Sequence, residues 1–486
     1  MRITAVFLFL LLNGLCLAQQ NFQQTLQKFL SDPVLSNASV GVAVIDLATG
    51  QLVLENEIQR SIAPASTMKL VTTATALSIL GPEYKYKTEL LIDGSISKEG
   101  ILNGNVWIKG YGDPSLGSAQ WDVPSDLNTI MRLFRGALQQ KGIRKINGYI
   151  IGDGSYFGSQ AVPDSWPWND LGNYYATGPY GLNIHDNLYF LRFRQKPNLG
   201  ATPSIAEIEP EVPDLVFTNE LISKGRGSGD QAYIYGAPRT YERYIRGSIP
   251  IGSKLFSIKG SVPDPPLFAA QLLTDALKEI GVLVEKGPIT YSVWKNQNQS
   301  ATNLTGLIGK NSPTLSQIIT RTNYKSVNLY AEALLTTLGK EKGDQGSTRA
   351  GLKVLYDYWK EKGIAMESAF LSDGSGLSPK TAISPEAMCN ILYAMSDSPY
   401  YNEFLQSIPL AGKTGSIANK FKGSAAEGKL YAKSGTLEHV RTYAGYFTNA
   451  ANKQFAFAFF VNYYQGSGGA MRRKMDQFLI NLCSSR

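Results

Sequence analysis

A chain of 486 residues exceeds one ordinary domain and has room for two or three. With 43% hydrophobic and 18% charged residues it can build a sizeable core, which excludes a disordered or fibrous chain. The formal net charge of +8 is scattered along the sequence, which excludes a nucleic-acid footprint and suits an anionic envelope surface or polymer.

Residues 1–18 read as a secretory signal. Arg2 supplies the positive end, Val6 to Leu12 the apolar core, and Cys16-Leu17-Ala18 a small-residue cleavage site. Lipid attachment at Cys16 is the rival reading, and Leu15 before it fits that poorly, so soluble export to the periplasm or cell envelope is expected. No later run of apolar residues is long enough for a transmembrane helix, which leaves peripheral membrane contact open. After cleavage two cysteines remain, Cys389 and Cys483, and sequence does not say whether they pair. Together with the isolated His185 and His439 they give no metal-ligand pattern, so no metal or cofactor is expected.

Ser39 to Asp46 alternates as a strand, Ala48-Thr49-Gly50 turns, and Gln51 to Glu55 returns, a hairpin signal. Thr67 to Leu80 then reads as an apolar helix whose start carries Ser66-Thr67-Met68-Lys69. Residues three apart share a helix face, so Lys69 can reach the Ser66 hydroxyl and act as the base that a serine nucleophile needs. The positive end of the helix dipole favours negative charge developing there. Ser95-Ile96-Ser97-Lys98 and Ser292-Val293-Trp294-Lys295 spell the same pattern, the first in a turn and the second in an expected strand, so the spelling alone decides nothing.

From about Tyr84 to Trp294 the chain changes to short strands broken by Gly, Asn and Asp, with Leu267 to Ile280 its one convincing helix. Helical spacing resumes at Leu315 to Ile319, Val327 to Leu338 and Ala350 to Lys362. Strands follow at Lys429 to Lys433, Arg441 to Phe447 and Gln454 to Tyr464, and a last amphipathic helix runs from Ala470 to Leu482. The outer segments therefore make one α/β unit around inserted β-rich material.

Two further motifs carry chemistry. Ser326-Val327-Asn328 fronts an amphipathic helix, where a hydroxyl can relay a proton and an amide can hold a peptide group; the plain alternative is a helix N-cap. Lys433-Ser434-Gly435-Thr436 ends the strand from Lys429, where a lysine and hydroxyls converge on a site for a carboxylate; the plain alternative is a polar turn. Lys413-Thr414-Gly415 spells a similar triplet, but a proline-and-glycine approach puts it in a loop, which favours Lys433.

Ser-x-x-Lys, Ser-x-Asn and Lys-Ser/Thr-Gly, in this order, resemble the signature of the penicillin-recognising serine hydrolases. Ser326 lies 257 positions after Lys69, far more than a compact β-lactamase leaves. The chain is therefore similar to the class C low-molecular-mass penicillin-binding proteins, the D-alanyl-D-alanine carboxypeptidase/endopeptidases. Gly110 to Leu116, Gly152 to Phe157, Trp166 to Asp170 and Asp373 to Ser378 extend the resemblance over nearly the whole mature chain. Ser434 in place of the usual threonine, and the upstream Lys413 triplet, are its departures.

The resemblance implies an α/β, β-lactamase/transpeptidase-like antiparallel sheet with flanking helices and two inserted β-rich domains. Boundaries are expected at 19–84 with 301–486 for the catalytic domain, 85–175 with 253–300 for one insert, and 176–252 for the other. It implies Ser66 as nucleophile, Lys69 as base with a pKa lowered by burial and positive neighbours, and Ser326 with Lys433 as the proton route to the leaving amine. Asn328 would align the substrate, Ser434, Gly435 and Thr436 would receive its terminal carboxylate, and the N–H groups of Ser66 and Thr436 would form an oxyanion hole. Asp170 matches a family aspartate that would meet a free ammonium. Implied partners are peptidoglycan stem peptides ending in D-Ala-D-Ala, and β-lactams as covalent inhibitors. The competing expectations are a serine β-lactamase, for which Glu386 would have to activate water, and an inactive peptidoglycan-binding scaffold. A His-dependent hydrolase is weaker, since neither histidine has a partner in sequence.

Overall fold

The computed structural model describes residues 21–121, 125–297, 299–300 and 303–486. The expected signal segment, 1–18, lies outside the described residues. The chain divides into two compact units: Met1–Tyr84 with Leu315–Val327 and Leu352–Arg486, and Lys85–Thr314 with Asn328–Gly351.

In the first unit a five-stranded antiparallel sheet runs in the order Leu430–Leu437, Val440–Thr448, Gln454–Asn462, Ser39–Asp46, Leu52–Asn56. Gln454–Asn462 is buried at every position after the first, because helices cover both faces of the sheet and leave no solvent side for alternation to mark. Residues 21–30 and the terminal helix Gly468–Ser484 cover one face. Phe29 and Phe478 close on Phe459 there, with ring centroids 5.1 and 4.6 Å away. Pro385–Ser396 packs on the central strands, with Ser384 as its N-cap accepting from Ala387 N–H and Glu386 in its first turn.

The helix Met68–Leu80 is buried on all sides through Leu77, so it has almost no amphipathic stripe. Its threonines are tolerable inside because each hydroxyl has a partner. Thr72 donates to Gly374 O (2.7 Å) and Thr73 to Lys69 O (2.7 Å). Thr75 donates to Val71 O (2.7 Å) and accepts from Trp359 Nε1 (2.8 Å).

The second unit holds a five-stranded sheet ordered Pro288–Thr290, Ile150–Asp153, Val106–Gly110, Lys87–Ile92, Thr305–Asn311, and three smaller sheets. One of the smaller sheets pairs Leu188–Arg194 with Leu255–Ser261, so it joins residues on both sides of position 252. The helix Asn328–Lys342 belongs to this unit.

Two expectations need correction here. Leu127–Gln140 is a second helix in the inserted stretch: Asp126 caps it by accepting from Thr129 N–H at 3.1 Å, and Ile130, Met131, Phe134, Ala137 and Leu138 are buried at helical spacing. Ser292 to Lys295 is not a strand but part of the helix Tyr291–Asn296. Thr290 caps that helix and Trp294 is buried edge-on against Trp107, at 4.7 Å between centroids.

Cys389 and Cys483 are both buried and unbridged. Among the described residues no helix is long and apolar enough to cross a membrane, and no group of three His, Cys, Asp or Glu could hold a metal ion.

Candidate active site

Ser66 sits in a 3₁₀ turn, Ala65–Thr67, that feeds the buried helix from Met68. Ala65 has φ +45°, a left-handed conformation that a non-glycine residue holds only when its surroundings impose it. Those surroundings are visible. Pro64 O accepts from the hydroxyls of Thr67 (2.6 Å) and Thr442 (2.7 Å). Gly376 backs directly onto the Ala65 carbonyl, where a Cβ would fall 1.9 Å from the oxygen.

One helical turn on, Lys69 is fully buried, and its Nζ donates to Ser66 Oγ at 3.1 Å and to Ser375 O at 2.8 Å. The Ser375 carbonyl is held by a tight turn around the buried Asp373. That carboxylate accepts from Gly376 N–H (3.1 Å), Ser378 N–H (2.7 Å) and Thr381 Oγ1 (2.7 Å). Sequence reasoning marked Asp373 to Ser378 only as a family match and missed that it cradles the lysine. A buried-type aspartate among glycines and serines was the available signal.

Lys433 is also fully buried. Its Nζ donates to Ser326 Oγ at 2.9 Å and to Ser434 O at 2.7 Å. Burial, and after it the charge of Lys69, hold its ammonium well below the ordinary lysine range. Two lysines and two serine hydroxyls therefore lie within one electrostatic neighbourhood, as a nucleophile and proton relay require. Ser326 is the residue that ends the helix Leu315–Lys325, and its φ of +57° is another left-handed non-glycine.

The strand bearing Lys433 does not end there, as expected, but continues to Leu437 because Ser434, Gly435 and Thr436 pair with Tyr443, Thr442 and Arg441. It is the edge of its sheet. Pro409 to Ala411 cover its beginning, through Ala432 N–H to Pro409 O (2.8 Å) and Ala411 N–H to Leu430 O (2.9 Å). Gly435 is needed at the far end: a Cβ would fall 2.1 Å from Thr442 Oγ1 and 2.9 Å from Ser66 N. Thr436 is exposed and Ser434 half-buried beside it.

Asn328 and Asp170 lie in the other unit and are linked there. Asn328, the first residue of its helix, donates from Nδ2 to Tyr175 O at 2.8 Å, and the Tyr175 hydroxyl donates to Asp170 Oδ1 at 2.9 Å. Asp170 is half-buried, and that burial raises its carboxyl pKa against the lowering effect of the Tyr175 bond.

The other candidates fall elsewhere. Lys413 is 55% exposed and pairs with Glu427 at 2.9 Å, while Thr414 Oγ1 accepts from Leu410 N–H. His185 and His439 turn Nδ1 toward the carbonyls of Gly117 (3.3 Å) and Tyr464 (3.2 Å).

The sheet, the buried helix Met68–Leu80 and the lysine–serine pairs together define a β-lactamase/transpeptidase-like fold of the penicillin-binding class. Residues 22–482 match the D-Ala-D-Ala carboxypeptidase 3 (S13) family, and the chain belongs to it. It is accordingly an enzyme of the serine-type D-alanyl-D-alanine carboxypeptidase class. A D-alanyl-D-alanine carboxypeptidase from an Actinomadura species is 27% identical, over 87% of this chain and 78% of its own length. The D-alanyl-D-alanine carboxypeptidase DacB of Haemophilus influenzae is 24% identical over 90% of this chain and 88% of its own. The crystal structure of penicillin binding protein 4 from Haemophilus influenzae shares the fold, with a TM-score of 0.78, 24% identity, and coverage of 92% of this chain and 96% of that one. A structure of the same protein in complex with a β-lactam superposes with a TM-score of 0.75 at 22% identity, covering 95% and 98%.

Proposed function

We propose that the enzyme cleaves the D-Ala-D-Ala bond of peptidoglycan stem peptides through an acyl-enzyme on Ser66, and that it also opens cross-links as a DD-endopeptidase. The observation that carries the reading is the pairing of Ser66 with Lys69 at 3.1 Å and of Ser326 with Lys433 at 2.9 Å within one compact unit.

Lys69 takes the Ser66 proton as Oγ attacks the carbonyl of the penultimate D-alanine. The oxyanion that forms is received by the N–H groups of Ser66 and Thr436, and Gly435 gives the strand its close approach to Ser66 N. The tetrahedral centre collapses, the C–N bond breaks, and Ser326 with Lys433 passes the proton taken from Ser66 on to the departing amine. Water then releases the acyl group and restores Ser66. The hydroxyls of Ser434 and Thr436 bind the terminal carboxylate, and Asn328 holds the substrate's peptide group. Asp170, joined to Asn328 through Tyr175, meets the free ammonium of a diamino acid in the stem peptide. Penicillins acylate Ser66 and leave slowly.

The protein acts after export, in the periplasm or cell envelope, where its substrate lies. The inserted material comprises two β-rich parts, 85–175 with 253–300 and 176–252, joined through the sheet that pairs Leu188–Arg194 with Leu255–Ser261.

Labelling with a fluorescent penicillin tests the chemistry. One label per chain is expected, absent in Ser66→Ala. Rapid multiple turnover of the penicillin would instead make the protein a β-lactamase, and no label at all would make it a scaffold. Digestion of monomeric and cross-linked muropeptides, with products resolved by mass, tests the substrate.

A further inference from the structure

We infer that the second unit carries a separate, noncatalytic pocket for a small carboxylate ligand bearing hydrogen-bond donors, walled by Arg239, Lys295, Asp264 and Tyr180. The cavity has a volume of about 290 Å³, near the lower end for ligand pockets, and every lining residue belongs to this unit. Gly152, Gly154 and Ser155 lie in its lining, within a motif that the Ser66 chemistry does not use. Gly152 is there because the helix Pro265–Lys278 seats on it: a Cβ would fall 1.9 Å from Pro266 O.

The walls are chemically incomplete. Arg239 and Lys295 are exposed, and among the described residues neither is in a contact ion pair. The Arg239 guanidinium makes one long bond to Ser159 O (3.4 Å), and the Lys295 ammonium lies 5.8 Å from the Tyr291 ring centre. Most of the five guanidinium donors therefore remain available. Arg239 is nonetheless held in place. Its backbone is left-handed (φ +61°), and its N–H is tied to Pro263 O at 2.9 Å.

Tyr180, also in the lining, is only 8% exposed, and its hydroxyl has no protein partner among the described residues. Asp264 caps the helix with Oδ1, which accepts from Leu267 N–H at 3.2 Å, and its other oxygen is left to accept from a ligand. The hydroxyl, the two cations and the second carboxylate oxygen leave hydrogen-bonding capacity open to a ligand.

The complementary ligand has a carboxylate for the two cations and hydroxyl or ammonium donors for Asp264 and Tyr180. An acidic amino sugar and a free peptide terminus share that chemistry.

Calorimetric titration of the full chain with N-acetylmuramic acid, D-alanyl-D-alanine and uncharged N-acetylglucosamine tests this. At least one acid is expected to bind saturably, and which one does identifies the source. Binding should persist in Ser66→Ala, so failure of the Ser66 chemistry would leave this readout intact. It should weaken by about tenfold or more in an Arg239→Asn/Lys295→Gln double variant with unchanged thermal unfolding. Asparagine is chosen because it accepts the left-handed backbone. Tyr180→Phe should weaken it further. Failure of both acids to bind, equal binding by the double variant, or equal binding of the neutral sugar would overturn the assignment.

Discussion

Lys433 carries its ammonium nitrogen to 2.9 Å from the hydroxyl of Ser326, a residue 107 positions earlier in the chain. The pair links the sheet edge to the end of a helix, and Lys433 sits there fully buried beside a second lysine.

A pH dependence follows. The folded protein holds Lys433 well below the ordinary lysine pKa, whereas the unfolded chain does not. Between those two values the unfolded state binds the extra proton, so stability should rise with pH across that window and be least below it. Lys433→Gln should flatten this slope in denaturant midpoints measured from neutral to alkaline pH. It should also slow acylation of Ser66 by about a hundredfold or more, the usual scale for losing a proton-transfer group. An unchanged slope would show that Lys433 is not the titrating group.

Gly376 is the next test. Its φ is +74° and a Cβ would meet the Ala65 carbonyl oxygen at 1.9 Å. Gly376→Ala should cost on the order of 1–3 kcal/mol in urea unfolding and displace the turn that presents Ser66. Acylation should fall with it. Retention of both would mean that the turn is not braced from behind.

Asp373 acts at one remove, by holding the turn whose Ser375 carbonyl takes a hydrogen bond from Lys69 at 2.8 Å. Asn at this position would turn an N–H₂ toward groups that are themselves donors, a mismatch costing about 1–3 kcal/mol. The acylation rate of Asp373→Asn should drop while the affinity for non-reacting substrate fragments stays level. Equal loss in both measurements would point to general unfolding instead.

Lys413→Ala should do nothing to acylation. Its exposed pair with Glu427 is the kind of surface contact that solvent largely cancels. Loss of penicillin labelling in this variant would reverse the choice between the two lysine triplets.

Much of this arrangement was readable along the chain, because local physics made it. The helix after Ser66 and the three closing strands follow from apolar runs bounded by turn residues, and the last helix from apolar spacing. Lys69 meets Ser66 because three positions on a helix face one way. What escaped the reading was set at long range. The strand through Lys433 continues to Leu437 only because Val440–Thr448 lies alongside it. Ser292 to Lys295, expected as a strand, is helical through the Thr290 cap and the buried Trp294. Ser375 lies 306 positions from Lys69, and no periodicity links them. Leu127–Gln140 is legible in the sequence, since its buried residues recur at helical spacing, although it lies among short strands broken by Gly, Asn and Asp.

The left-handed backbone at Ser326 sets one of the enzyme's own interests against another. Glycine would relax that conformation, which costs serine on the order of 1–3 kcal/mol, but it would also remove the hydroxyl that Lys433 addresses. A search for hardier variants that scores melting temperature alone would favour glycine here. It would then collect well-behaved proteins without the hydroxyl that the proposed proton route needs, so heat tolerance and turnover have to be selected together.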